Sequence, residues 1–165
     1  MRSITVNLYS FDELSDKAKE KALQELYSVA EYPWHGENCD TLKAVERAFK
    51  LERFDWEYNA CGSIYTYTLP HDVKQGMNRK KLLLTFKYLK KDNPLVSGYW
   101  LLEAFECDFW ECFNSQGDIK VALQYAIGET VKWCHKDMAD YFSEESLAEY
   151  AMANEYEFKG DGSLA

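Results

Sequence analysis

The chain has 165 residues, of which 47% are hydrophobic and 16% aromatic. This composition excludes an intrinsically disordered chain, and the length is typical of one domain. The net charge of −9 is unevenly placed: residues 1–92 carry 15 Lys and Arg against 14 Asp and Glu, whereas residues 93–165 carry 4 against 14. An acidic surface repels phosphate and attracts basic surfaces, so the charge favours a protein partner over nucleic acid. We predict a single α+β domain over 1–165, with a near-neutral half and an acidic half.

The first half changes from a strand pattern to a helical one and back. The period of its apolar residues predicts, in chain order, a strand over 2–9, helices over 16–31 and 38–50, a hairpin of strands over 54–58 and 63–69, and a helix over 78–91. Ser15 is placed to cap the first helix.

Helices dominate the second half. We predict helices over 100–113, over 118–142 with a kink at Gly128, and over 144–153 with Ser143 as the cap, followed by a strand over 155–158. The complete order predicts an α+β fold in which a small, mainly antiparallel sheet of about four strands is covered by helices, with a helix-rich C-terminal half.

The predicted helix over 100–113 has one apolar stripe and an unusual opposite face. That face collects two indoles and three carboxylates: Trp100, Glu103, Glu106, Trp110 and Glu111. Aromatic rings in an acidic field suit a partner that offers Arg and Lys, because these side chains can stack and pair at once. The alternative is that both tryptophans pack inside the domain.

Further carboxylates follow at Asp137, Asp140, Glu144, Glu145 and Glu149. Glu144 and Glu145 have a local explanation, since acids in a first helical turn stabilise the helix dipole. The dipole does not explain why cations are so scarce in this half. We predict that these five residues and the five of the preceding helix form a partner-binding acidic surface, the alternative being a surface that only keeps the protein soluble.

The cations of the chain are concentrated in the segment 74–91. Seven lie there with no acid among them: Lys74, Arg79, Lys80, Lys81, Lys87, Lys90 and Lys91. They could contact nucleic acid, but no DNA- or RNA-binding motif accompanies them. We therefore favour pairing of these cations with the acidic half, within one chain or in a homodimer.

Metal and thiol chemistry have weak support. A zinc site could use His35, Cys39, Cys134 and His135, but the usual ligand spacings are missing. A nucleophilic thiol would need Cys61 or Cys107 beside His71 or His135, and neither cysteine lies in a recognisable catalytic motif. We predict no catalytic residue, no metal and no cofactor.

The spacing of the cysteines and the length of the apolar runs indicate where in the cell the protein is found. The five cysteines show no paired short spacing, and the first residues form no apolar signal segment. The most hydrophobic short run, 82–86, is too short to span a bilayer. We predict reduced thiols, a cytoplasmic protein and no membrane role.

Both ends of the chain resemble a family. Residues 8–22 (LYSFDELSDKAKEKA) resemble the opening of small phage- and prophage-encoded proteins often labelled "antitoxin of toxin-antitoxin stability system". Residues 153–158 (ANEYEF) and the Gly-Asp-Gly at 160–162 are similar to their close. No catalytic residues are associated with this family. The resemblance implies a mobile-element protein that neutralises another bacterial protein.

Charge and resemblance together predict a non-enzymatic inhibitor. It would occupy the basic channel of a bacterial toxin or of a defence nuclease such as a CRISPR effector. Its acidic surface would present there the density of negative charge that nucleic acid normally presents. Two alternatives stay open: a thiol or hydrolase enzyme with a concealed site, and a DNA-binding regulator that uses the basic segment.

Overall fold

The computed structural model describes residues 6–70, 77–93 and 100–165. Within these ranges the chain forms six helices: α1 (Asp16–Val29), α2 (His35–Phe49), α3 (Arg79–Asp92), α4 (Trp100–Gln116), α5 (Ile119–Tyr141) and α6 (Glu144–Ala153). It also forms four strands, β1 (Leu8–Tyr9), β2 (Glu52–Asn59), β3 (Gly62–Thr68) and β4 (Phe158–Lys159), and one 3-10 turn at Phe11–Glu13.

The chain divides into two compact units. The terminal unit combines Met1–Tyr32 with Met138–Ala165, and the central unit is Pro33–Asp137. Counted by unit, the terminal one carries 5 Lys and Arg against 13 Asp and Glu, a net charge of −8, whereas the central one carries 14 against 15. The acidic excess therefore belongs to the terminal unit. The prediction of a single domain stays a prediction.

The N-terminal and C-terminal segments of the chain pair with each other in the terminal unit. β1 and β4 pair antiparallel, with Leu8 opposite Lys159 and Tyr9 opposite Phe158. The apolar stripe of α1 packs against α6 around a small core, which comprises Phe11, Leu14, Ala18, Ala22, Leu26, Leu147, Ala151 and Phe158. These side chains are at most 6% exposed, so the unit has its own apolar interior.

The central unit combines a hairpin with four helices. β2 and β3 pair antiparallel, and the side chain of Asn59 accepts the backbone N–H groups of Cys61 and Gly62 to hold the turn. A cluster of phenylalanine rings from α2, α3 and α4 fills the interior, with centroids 5.1 to 6.4 Å apart: Phe49, Phe86, Phe105 and Phe109. Aromatic contacts at these distances add to the free energy of burial.

The α+β class and the helix-rich second half are confirmed, but the prediction of one sheet of about four strands is wrong. The described strands form two separate two-stranded sheets, β1 with β4 and β2 with β3. The predicted helices are all found, and their ends lie within three residues of the predicted ones. The final strand begins at Phe158 rather than at 155. Of the predicted first strand, residues 2–5 lie outside the described residues.

Candidate functional site

The outer face of α4 retains part of the predicted surface. Trp100 is 40% exposed, and its ring meets that of Trp133 from α5 edge-on, at 6.3 Å between centroids. Glu103 and Glu111 are exposed. Lys136 lies over the Trp133 ring at 5.3 Å, so this indole pair already accepts one cation.

Two other predicted residues of α4 contact α3 instead. Trp110 is half-buried against Phe86, and the guanidinium of Arg79 lies 5.4 Å from its ring centroid. Glu106 pairs with Lys90 at 2.6 Å, and this hydrogen bond raises the pKa of Lys90. Within the central unit, Lys90 therefore pairs with a carboxylate of the acidic half, whereas Arg79 contacts the Trp110 ring and donates a hydrogen bond to the side-chain oxygen of Asn114. Lys74, from the same segment, lies outside the described residues.

The structure adds an acidic cluster that sequence patterns did not single out. Asp108 of α4 is half-buried, and its Oδ2 atom is sealed from solvent and has no hydrogen-bond partner among the described residues. Burial raises the pKa of Asp108, and the charges of Glu129 and Glu111 raise it further. Helical spacing places Asp108 beside Glu111. Glu129 comes from α5, and no local sequence pattern indicates an electrostatic interaction between residues of two helices.

The remaining predicted acids fall in both units. Asp137 is half-buried at the end of the central unit. The others belong to the terminal unit and are exposed: Asp140, Glu144, Glu145 and Glu149. Ser143 caps α6 by accepting the N–H of Ser146 at 3.2 Å, which fixes Glu144 and Glu145 in its first turn.

Two grooves of the terminal unit place carboxylates around apolar floors. The β1–α6 groove, of about 400 Å³, has Leu8 and Met152 exposed at 42% and 44% beside four acids: Asp12, Glu13, Glu155 and Glu157. The α1–α6 groove, of about 430 Å³, places Glu20 and Glu144 beside Tyr27 and Phe142. Neither groove has a cation among its described lining residues.

The residues of the metal and thiol alternatives come together only in part. Among the residues that the structure describes, no group of three or more His, Cys, Asp or Glu side chains is placed to hold a metal ion. His135 donates through Nδ1 to the carbonyl of Asn59 at 2.6 Å, and burial raises the pKa of Cys134 to about 12. Cys61 and Cys107 are exposed free thiols, and His71 lies outside the described residues.

Two residues of the zinc alternative, His35 and Cys39, are in contact. They lie one turn apart on α2, with Nε2 and Sγ 3.6 Å from each other.

The chain matches no protein-family model, no curated protein and no solved structure. Over 6–70, 77–93 and 100–165, no helix combines the length and apolar character that crossing a bilayer requires. The fold and the surfaces therefore define the class by themselves: an α+β protein with a near-neutral central unit and a strongly acidic terminal unit.

Proposed function

We propose that this protein is a non-enzymatic inhibitor from a phage or another mobile element that binds a basic surface of a bacterial protein and blocks it. The observation that carries the proposal is the charge of the terminal unit, −8 in 60 residues. Such an excess costs self-repulsion, which a purely structural role does not require. Neutralising another bacterial protein is also what the resemblance of residues 8–22, 153–158 and 160–162 implies.

The two grooves supply the contacts. A partner's Arg or Lys side chain would lay its apolar stem on Leu8 or Met152 and place its charge among the rim carboxylates. Each exposed ion pair contributes only about 0–1 kcal/mol, so affinity depends on many pairs and on the apolar floor beneath them. The summed field of the unit adds long-range attraction and speeds encounter. The exposed Trp100 and Trp133 offer a second contact of the same kind on the central unit.

Nucleic-acid mimicry is the mode of inhibition we favour. Duplex DNA presents one negative charge per about 1.7 Å of its axis, and the channel of a nuclease toxin or defence nuclease is built to bind that density. A folded acidic unit competes for the same cations without being a substrate. The proposal needs no cofactor, no metal, no membrane and no nucleic acid bound to the protein itself.

The test is capture of the partner under competition. Immobilised protein is exposed to a bacterial lysate, and bound proteins are released with duplex DNA or with salt rising from about 50 mM to about 500 mM. We expect a nucleic-acid-binding protein that is released by both, because DNA and the acidic unit compete for its channel. A partner that stays bound in high salt and in excess DNA would contradict the proposal.

A matched pair of variants locates the surface. Asp12→Asn, Glu155→Gln and Glu157→Gln together remove three of the four negative charges of the β1–α6 groove. They keep Glu13, whose carboxylate accepts a hydrogen bond from the backbone N–H of Ser10 at the start of the 3-10 turn. The control neutralises three exposed acids of the central unit, Asp40→Asn, Glu52→Gln and Asp55→Asn. We expect the first variant to lose the partner and the control to keep it. Equal retention by both would overturn the role of the groove.

The exposed cations of α3 favour one alternative function, a DNA-binding regulator. Lys80, Lys87 and Lys91 are exposed on α3 and form no ion pair with the described residues, so a DNA-binding regulator would use them. A mobility-shift assay on random duplex at low salt distinguishes the two functions, since a regulator shifts the DNA and an inhibitor does not.

A further inference from the structure

Three side chains of the central unit form a chain of contacts across α2 and β2. The Sγ atom of Cys39 lies 3.6 Å from Nε2 of His35, and Nδ1 of the same imidazole lies 3.0 Å from the hydroxyl of Tyr58. The His35 and Tyr58 rings also touch, at 5.5 Å between centroids. Tyr58 is 7% exposed, so the residue that holds the imidazole is itself fixed in the fold.

This order of groups is the one that activates a nucleophile. When Nδ1 of His35 carries the proton and donates it to the Tyr58 oxygen, Nε2 is left as an acceptor facing the thiol. A nucleophile, a base within reach and a third group that orients the base form the general arrangement of covalent catalysis. The thiolate, rather than the thiol, is the reactive form of cysteine.

The thiol opens into a groove that can hold a small molecule. The groove has a volume of about 400 Å³, and its wall includes the Phe54 and Trp56 rings, whose centroids lie 4.8 Å apart. Cys39 is half-buried there, whereas Cys61 and Cys107 are exposed. Exposure alone would therefore make Cys39 the slowest of these three thiols to react.

The charged side chains that line this groove determine which charge a small-molecule reactant should carry. One cation, Lys43, lines the groove together with three carboxylates: Glu46, Asp55 and Glu57. A field with excess negative charge attracts cations and repels anions. The groove therefore favours a cationic small molecule over an anionic one.

We infer that Cys39 is a reactive thiol that exchanges with small cationic disulfides, with His35 as its base and Tyr58 as the positioning residue. The thiol proton moves to Nε2 of His35, and Sγ attacks one sulfur of the disulfide. A new S–S bond to Cys39 forms as the old one breaks, and the departing thiolate takes the proton from His35. The disulfide is the oxidant, so the products are a mixed disulfide on Cys39 and one free thiol. This site is independent of the proposed inhibitor function.

The experiment measures the rate of mixed-disulfide formation at each cysteine of the full-length reduced protein. Cystamine is the cationic disulfide, glutathione disulfide is the anionic comparison, and peptide mass spectrometry resolves the sites. With cystamine we expect Cys39 to react about tenfold faster than Cys61 and Cys107, against the order of exposure. With glutathione disulfide this advantage should shrink.

Variants separate activation from access. We expect His35→Asn to lower the ratio of the Cys39 rate to the Cys61 rate about tenfold, and Tyr58→Phe, which keeps the ring, to lower it by a smaller factor. A general structural change would move both thiols together and leave this ratio unchanged. Cys134 is buried and should stay unlabelled, so its labelling would report unfolding of a variant.

Two results would overturn the inference. One is wild-type protein in which Cys61 or Cys107 reacts first, because the groove then confers no advantage. The other is a folded His35→Asn variant with an unchanged ratio. If that variant does not fold, the wild-type order of rates and the Tyr58→Phe ratio still decide the question.

Discussion

Gly162 lies so close to the backbone of Ala18 that no β-carbon fits between them. Its φ is 87°, and a β-carbon there would overlap the carbonyl oxygen of Ala18 and lie 2.9 Å from the carbonyl carbon. The neighbouring Asp161 pairs with Lys21 of α1 at 2.6 Å. The glycine therefore allows the C-terminal turn to close against α1 within the terminal unit.

We expect Gly162→Ala to lower the free energy of unfolding by about 2–5 kcal/mol. A left-handed backbone costs an L-residue about 1–2 kcal/mol, and the overlap with Ala18 adds a further cost of about 1–3 kcal/mol. Urea unfolding followed by circular dichroism measures the change.

Gly117→Ala is the matched control. Gly117 also has a positive φ, of 69°, but a β-carbon there would meet no atom within 4 Å. We expect this variant to lose only about 1–2 kcal/mol, the cost of the backbone conformation alone. Equal losses for the two variants would show that the contact with Ala18 contributes nothing.

Helix positions could be predicted because capping is local in sequence. Ser15, Asn78 and Ser143 each accept a hydrogen bond from the backbone N–H three residues later. The helices that Ser15 and Ser143 cap begin at the predicted residue, and the helix that Asn78 caps begins one residue later than predicted. α2 is the exception. Its capping residue is Trp34, whose side chain makes no cap hydrogen bond, so the predicted start fell three residues late.

Strand pairing and the acidic surface depend on contacts between distant residues. Leu8 pairs with Lys159 across almost the whole chain, and no local pattern separates this ladder from the β2–β3 hairpin. Counting charge along the chain placed the acidic excess after residue 92. In the folded protein both ends contribute to the acidic unit, and Glu106 is neutralised by Lys90.

Gly128 has a packing role in α5, where the Tyr65 side chain approaches it closely. The kink at this residue stays a prediction. α5 runs continuously through this residue, and a β-carbon at Gly128 would lie 2.8 Å from the Tyr65 hydroxyl, which donates to the Gln124 carbonyl at 3.0 Å. We expect Gly128→Ala to destabilise the central unit by about 0–2 kcal/mol, because an overpacking cost of about 1–3 kcal/mol is offset by about 1 kcal/mol, the preference of a helix interior for alanine over glycine. Thermal or urea unfolding measures this loss.

A double-mutant cycle tests the cause. Tyr65→Phe removes the hydroxyl that the new methyl group would meet, so Gly128→Ala should cost less in that background than in the wild type. Strict additivity of the two changes would mean that the loss has another origin.

The pair between Lys90 and Glu106 should contribute modestly to stability. Both side chains are partly exposed, and such pairs contribute less than about 1 kcal/mol. We expect Lys90→Gln to lower the free energy of unfolding by this amount at low salt and by less at high salt. Lys87→Gln, on the exposed side of the same helix, should change nothing.

The stabilisation by the Lys90–Glu106 pair should decrease at alkaline pH. Glu106 raises the pKa of Lys90, so the stabilisation is complete at neutral pH and is lost as the pH rises through the pKa of Lys90. Urea midpoints of wild type and Lys90→Gln, measured from neutral to strongly alkaline pH, should converge. A constant difference would contradict pairing as the source.

Asp108 should be a source of instability at neutral pH. Its pKa is raised by burial and by the charges of Glu129 and Glu111, so ionisation is harder in the folded chain than in the unfolded one. The folded state therefore loses stability as the pH rises through the pKa of Asp108.

We expect Asp108→Asn to raise the urea midpoint at pH 7 and to have little effect near pH 3, where the wild-type carboxyl is protonated. Glu103→Gln, an exposed acid on the same helix, serves as the control. A lower midpoint at pH 7 would show that the Asp108 carboxylate stabilises the fold.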